Sequence, residues 1–553
     1  MGLLAKANTI HYSVIPALIL LFTLIGSFIS LIAYTVRKRD LTKLRNWAVV
    51  TTSITAFILT LMMYPLIVIK GWSLEFIFPK YIMGTGLRLL VDPLGLFFAL
   101  LTSFLWTVVN IYAVKYMEHE LKRKGDRWFT FSMFSLVANM GVLLAGADLL
   151  TIFVFYEALG VFGYALVIHE ERDKSFWSGS KYLIMTMSSG LVLLTGIFLL
   201  WYYTGTYDLT LAMATFKGSI TIKWAIAILL IAGFGVKAGL VPVHSWLRDA
   251  HGVAPIPSHT LLSSLIIKVG SYGIFRVLYF IYGVKLVSQI GLGQVMLFLG
   301  LFGMIMGSVW ALNQIEIKKL LAYSSIAQVG YILTGFALLT PKTMAIGIMH
   351  IVSHAIMKGT LFLGIGAVIH QAGFHFVDEL RGVGKKMPLT MIAITIGASS
   401  MIGIPLTIGF LTKWYLGTGA FEAVKLGIIS YPWAVAVVVA LITSGMLNLV
   451  YYGPIVLRGW MKEPIMAGGS EDAHADDAHG HSEEAIDTEE ILGGGPRGHW
   501  DDGHNRKGLT YSDPHPTILV PVLLLAFLTV FFGLFPQFPW NLAQFIAKAY
   551  FGG

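Results

Sequence analysis

Cysteine is missing from all 553 residues. Its absence excludes disulfides, thiolate-held iron-sulfur clusters, Cys-ligated zinc and thiol catalysis in this chain. Any redox centre that it serves must therefore sit in another subunit, and no cofactor is expected here. Charge is scarce as well. Only 12% of residues are charged and 56% are hydrophobic, with a mean hydropathy of +0.74. That composition lies outside the range of soluble cores and inside that of all-α polytopic membrane proteins. There is no basic, aromatic-interleaved soluble stretch, which argues against nucleic acid as a partner despite the net charge of +9. A cleavable leader is not expected either, because the first apolar run is helix-length and stops at Arg37-Lys38-Arg39.

What is present is a succession of apolar runs, each long enough to cross about 30 Å of hydrocarbon, roughly fourteen in all. Helix 1 is expected from about Tyr12 to Val36, helix 2 from Trp47 to Lys70, and helix 3 from Asp92-Pro93, a capped opening with proline in the first turn. Between helices 2 and 3, the stretch to Leu90 reads as a hairpin or loop. Helices 4 to 6 are expected at about Trp128–Gly146, Leu149–His169 and Ser178–Thr204. Helix 7 covers Lys223–Trp246 with a break at Val241-Pro242, and helix 8 covers Pro257–Ile281. Helices 9 to 11 occupy about Gln289–Leu312, Lys318–Leu339 and Lys342–Gln371. Helix 12 covers Met387–Gly417 with a break at Gly403-Ile404-Pro405, and helix 13 covers Tyr431–Leu457. Helix 14 lies near Thr517–Phe535, and the tail to Gly553 reads as amphipathic and interfacial.

Basic residues gather at the exits of odd-numbered helices, from Arg37–Arg45 to Arg381–Lys386, which places those loops in the cytoplasm and the N-terminus outside. From 458 to 516 the chain turns polar, acidic and rich in histidine (474, 479, 481, 499 and 504). This reads as a mobile cytoplasmic loop, and no metal site is expected because the histidines lack a fixed ligand spacing.

Two long helices are broken by Gly and Pro at corresponding places, GLVP (Gly239, Pro242) and GIP (Gly403, Pro405), five helices apart. An odd spacing implies two units of opposite topology, at 116–282 and 283–457, following an N-terminal set of three helices at 1–115 and preceding the final helix and tail at 517–553. Broken helices in inverted repeats point to a transport site. Charges inside the apolar runs point the same way: Glu157 on helix 5, Lys237 beside the first break and Lys268 on helix 8. Helix 11 adds His350, His354 and Lys358 at i, i+4 and i+8 on one stripe, and helix 12 adds Lys413. One glutamate cannot neutralise so many basic groups, so they need hydration and one another. Desolvation disfavours the charged form of a buried lysine and a carboxylate within about 4 to 6 Å restores it. A shift of Glu157 relative to Lys237 would thus switch the lysine between holding and releasing a proton. His259 and His370, at helix ends, read as solvated or capping residues.

The segments FYEALGVFGYAL, KAGLVPVHSWLRDAH, IIKVGSYGIFR, LLAYSSIAQVGYI and HAIMKGTLFLGIGAVIH together resemble the antiporter-like subunits of Mrp-type cation/proton antiporters, respiratory complex I and membrane-bound hydrogenases. The resemblance, over about residues 90–455, implies fourteen core helices with two inverted five-helix half-channels. It implies a pair between Glu157 and Lys237, a connecting Lys268, a relay at His350, His354 and Lys358, a terminal Lys413 where some relatives carry glutamate, and a weaker role for Lys181. It further implies a plasma-membrane subunit of a prokaryote with no redox or hydrolytic site of its own. Its partners would be other membrane subunits, including further antiporter-like or small Mrp-like ones, and either a hydrogenase-like redox module or a stand-alone sodium/proton antiporter assembly. The acidic loop and the short tail depart from the family core. A membrane hydrolase is disfavoured, since HIVSH lacks the glutamate of a HExxH motif; a passive scaffold would tolerate loss of the buried charges.

Overall fold

The computed structural model describes residues 9–36, 39–82, 85–119, 124–146, 148–209, 216, 218–461 and 511–551. The acidic histidine-rich stretch expected to form a loop lies outside these residues apart from its two ends. The fold is all-α apart from one small sheet. Among the described residues thirteen helices are long and apolar enough to cross a membrane, and a fourteenth crossing unit is split in two. We number them α1 (Ile15–Val36), α2 (Arg39–Tyr64), α3 (Pro93–His119), α4 (Lys124–Leu144), α5 (Leu149–Val167), α6 (Asp173–Thr204), α7 (Ile220–Ala238) and α8 (Ile256–Gln289). They continue as α9 (Leu292–Leu312), α10 (Ile317–Ala337), α11 (Pro341–Ala372), α12a (Pro388–Ile402) with α12b (Ile408–Lys425), α13 (Tyr431–Met461) and α14 (Pro516–Leu534).

The expected hairpin is present as β2 (Trp72–Ile82) and β3 (Thr85–Val91), antiparallel with Leu74 opposite Val91. A strand that the sequence did not suggest, β1 (Thr9–Tyr12), joins β2 in parallel. The sheet closes one end of the bundle. Arg88 reaches Glu75 at 2.6 Å and Asp208 at 2.5 Å, and the Gly146 amide donates to Leu90 O at 3.0 Å.

In hydrocarbon, helix association relies on close packing and interhelical hydrogen bonds rather than on a hydrophobic drive. The glycines of α8 and α10 serve that packing. A Cβ at Gly270 would lie 2.3 Å from the Ala238 amide nitrogen, and one at Gly330 would lie 2.5 Å from Gly300 O. Helices α8, α10 and α11 are buried nearly all round, whereas α1, α2, α13 and α14 expose apolar residues along one side.

Helix boundaries differ from expectation at the first break. α7 ends at Ala238, with Gly239 in the left-handed region (φ 73°), and Trp246 belongs to a separate short helix, Ser245–Val253. Gly239 is the stop because it alone in the segment GLVP takes that conformation without strain. The second break has the same form, with Gly403 at φ 97°. The tail forms α15 (Gln537–Phe551), whose face of Pro539, Leu542, Ala543, Ile546 and Ala547 is buried against the protein. The expected amphipathicity is present, with its apolar face packed on the bundle.

At its end α15 meets a buried ion pair. Arg276 of α8, 1% exposed, donates to both oxygens of Asp92 at 2.6 Å, and the Tyr550 hydroxyl donates to the same carboxylate at 3.1 Å. Asp92 also accepts from the Gly95 amide at 2.8 Å, so the cap of α3 and the counter-ion of α8 are one residue. Removing one partner of a buried pair costs about 3–5 kcal/mol. Asp92→Ala is therefore expected to lower the thermal unfolding temperature of the detergent-purified assembly markedly, whereas Asp92→Leu combined with Arg276→Met recovers most of the loss; differential scanning fluorimetry reads both.

Candidate functional site

All seven intramembrane groups singled out by sequence face the interior, strung from α5 to α12b. Lys237, in the last turn of α7, is fully buried. Its Nζ donates to Tyr156 O at 2.6 Å and sits 3.4 Å from the centre of the Tyr156 ring. Glu157 approaches it, but Oε1 stays 4.0 Å away and accepts no hydrogen bond. The pair is therefore adjacent and loose, with the lysine held by a main-chain carbonyl. Glu157 lies against the backbone of α6, where a Cβ on Gly190 would come 2.2 Å from Oε1.

Lys268 occupies the centre of α8, 2% exposed. Directly before it the helix widens into a π-turn, Leu262–Ile266, a feature that recurs at functional sites. Lys268 Nζ donates to Ser263 O of that turn at 2.6 Å and lies 2.8 Å from His354 Nδ1. The stripe on α11 then divides. One turn towards the α11 N-terminus, His350 bonds Gln328 Oε1 at 2.9 Å and Thr412 Oγ1 at 2.8 Å. Thr412 is the neighbour of Lys413, which carries the line into α12b. One turn the other way, Lys358 donates to Leu321 O at 2.7 Å, to Ser324 Oγ and to Tyr452 Oη at 3.2 Å.

Lys413 folds back onto the second break. Its Nζ donates to Met401 O at 2.5 Å and Ile402 O at 3.0 Å, the carbonyls that α12a leaves open where it stops. Asn448 Nδ2 joins at Met401 O, 2.8 Å. At the first break the corresponding task falls to Trp246, whose indole donates to Val236 O at 2.7 Å. Lys181 stands apart from the line, paired with Asp249 at 2.6 Å.

Three features escaped the sequence reading. Gln328, Thr412, Tyr452 and Asn448 are single polar residues in apolar helices, indistinguishable by pattern from packing residues. His251 went unnoticed, and His259, expected to be solvated or capping, is fully buried: the Nδ1 atoms of the two lie 2.9 Å apart and both rings stack on Phe362. The expectation failed because the α8 N-terminus lies inside the bundle, its Ser258 hydroxyl accepting from the Trp128 indole at 2.7 Å. Among the described residues no three His, Asp or Glu side chains are arranged to hold a metal ion.

The arrangement lines up titratable side chains inside an apolar bundle, with direct hydrogen bonds from Lys268 to His354 and from His350 to Thr412. Residues 146–443 match the family described as NADH:quinone oxidoreductase/Mrp antiporter, transmembrane. The chain belongs to that family. It is 32% identical over 380 residues to an NADH-quinone oxidoreductase subunit N of Desulforudis audaxviator, covering 68% of this chain and 73% of the relative. It is 30% identical over 377 residues to hydrogenase-4 component B of Escherichia coli, covering 65% of this chain and 55% of the relative. In fold it resembles a chain of the Mrp complex from Dietzia sp., with a TM-score of 0.79, 23% identity and 98% of each chain covered. The chain is thus an integral membrane protein of a family whose members are subunits of multisubunit membrane complexes.

Substitutions at two positions read the geometry directly. In Gly190→Ala the new methyl displaces the Glu157 carboxylate, a flexible group that yields at little cost in stability. Coupled ion transport by the intact complex is expected to fall several-fold with unchanged subunit content on native gels. At Lys413, Arg keeps donors on the two carbonyls and retains part of the transport, while Glu sets an acceptor against acceptors and loses it; equal activity of the two would contradict the observed contacts.

Proposed function

We propose that this chain is a proton-translocating subunit, with or without exchange of sodium for protons, of a multisubunit redox-driven membrane complex such as a membrane-bound hydrogenase or a complex I relative. The single observation that carries the proposal is the line from half-buried Glu157 and buried Lys237 through buried Lys268, His354 and His350 to half-buried Lys413. Both of its ends stand at helix breaks. Protons enter and leave such a line only if its members change charge without unfolding the helices around them. Neutral main-chain carbonyls permit that change, since they solvate an ammonium group without binding it as a permanent ion pair.

In this reading Glu157 sets the charge state of Lys237, Lys268 joins the two halves through His354, and His350 with Thr412 passes the proton to Lys413. Lys358, with Ser324 and Tyr452, forms a branch, and Lys181 contributes only at the margin. Residues 116–282 and 283–457 act as two inverted half-channels, a reading supported by two breaks of like form five spans apart. The chain itself carries out no redox step and binds no cofactor. Its neighbours are further antiporter-like or small Mrp-like subunits and a redox module in the plasma membrane of a prokaryote, with the N-terminus outside. A stand-alone Mrp-type antiporter is the second reading, favoured by the likeness in fold to the Mrp complex.

Lys237→Ala decides whether the line conducts: ion-coupled activity in an intact complex is expected to vanish, and full activity would exclude the relay. Affinity purification of the tagged chain from its own host, followed by iron and nickel analysis, separates the assemblies. Abundant iron marks a redox-driven pump; its absence, with only membrane subunits retained, marks the stand-alone antiporter.

A further inference from the structure

The lysines at the two ends of the line stand over aromatic rings. At the start, Lys237 Nζ lies 3.4 Å from the centre of the Tyr156 ring on α5. At the far end, Lys413 Nζ lies 5.2 Å from the centre of the Tyr331 ring on α10. Both distances fall within the reach of about 6 Å over which the negative face of an aromatic ring attracts a cation. Lys268, between them, bonds His354 and has no phenyl, phenol or indole face under it among the described residues. Lys358, on the branch, is 5.6 Å from Phe362 and 6.0 Å from Tyr452, at the limit of that reach.

The two end pairs are built alike. In each, the lysine belongs to a helix broken at glycine, Gly239 or Gly403, and the ring comes from the helix two places earlier in the chain, α5 for α7 and α10 for α12b. Both tyrosines are fully buried. The Tyr331 ring also lies 5.2 Å from the His350 ring, so one side chain meets both the terminal lysine and the histidine before it. The Met401 and Ile402 carbonyls accept from Lys413 whether it carries two protons or three. A ring face discriminates more sharply, since its quadrupole draws a positive charge and holds a neutral amine only weakly. It favours the charged lysine without supplying an ion that would fix it there. At Lys237 that task is shared with Glu157, 4.0 Å away, whereas among the described residues no carboxylate pairs with Lys413.

We propose that Tyr331 is a positioning residue of the second half of the line, the face of its ring holding protonated Lys413 in place of a counter-ion, as the Tyr156 face does for Lys237 beside Glu157. The proposal rests on the reading that Lys413 relays protons.

Fluorine withdraws electrons from a ring with little change in its size, and so weakens its attraction for a cation in steps. In membrane vesicles holding the intact complex, Tyr331→Phe keeps the ring face and is expected to retain most of the coupled transport, whereas Tyr331→Leu loses most of it. Phenylalanine with one, two and three ring fluorines, placed at position 331 by genetic-code expansion, should lower transport stepwise, to several-fold below Tyr331→Phe at three, with subunit content on native gels unchanged. The same series at Phe336 of α10, whose ring packs edge-on against Phe275 rather than under a lysine, should stay flat. A flat series at position 331, an equal decline at Phe336, or transport alike in Tyr331→Phe and Tyr331→Leu would overturn the positioning role. The two readings fail differently. An active Lys237→Ala complex removes the relay itself, whereas a flat series at position 331 beside an inactive Lys237→Ala removes only the role of the ring.

Discussion

Each of the four lysines of the line and its branch is held by a main-chain carbonyl: Lys237 by Tyr156, Lys268 by Ser263, Lys358 by Leu321 and Lys413 by Met401 and Ile402. An ammonium group in hydrocarbon is expensive unless something solvates it. A carboxylate would do so most strongly, but it would also fix the charge. The carbonyl is a neutral acceptor, and a helical carbonyl still bonded to its own amide partner offers a second lone pair. The lysines are thus accommodated with or without the proton, which no ion-paired arrangement would allow. The one acidic residue of the line, Glu157, stands 4.0 Å off and leaves that balance adjustable.

The helix breaks follow from the same accounting. Where α7 and α12a stop, at Gly239 and Gly403, their last carbonyls need donors. At the first break a neutral indole, Trp246, supplies the bond, so Lys237 is free to point at Tyr156 and Glu157. At the second, Lys413 supplies it with Asn448. The two halves of the molecule, alike in form, thus differ in chemistry: one break is closed by a neutral indole and the other by a lysine together with a carboxamide.

Much of this was legible in the sequence, for identifiable reasons. Apolar run length located the spans, Gly and Pro marked both breaks, and charges in apolar helices are rare enough to be noticed singly. The i, i+4 spacing on α11 placed His350, His354 and Lys358 on one stripe, and the structure distributes them along a single wall. What pattern could not supply was the identity of the acceptors. Every residue has a carbonyl, so nothing in the letters indicates that Leu321 or Met401 receives a lysine. Thr412, Gln328 and Tyr452 are likewise common helix-packing types, and His259 was misplaced because a helix end normally means solvent, whereas this one is enclosed by α4 and α11. Long-range pairs such as Arg276 with Asp92 leave no local trace.

That last pair has a bearing on how the protein is made. Asp92 and Arg276 are separated by 184 positions, and Tyr550, which completes their hydrogen bonding, comes 458 positions after Asp92. During synthesis the arginine and aspartate enter the membrane long before the tyrosine exists. The Asp92–Arg276 pair therefore gains the Tyr550 hydrogen bond only once α15 has been translated. A chain interrupted before that helix would keep the Asp92–Arg276 pair and lack the tyrosine hydroxyl that joins the last helix to it.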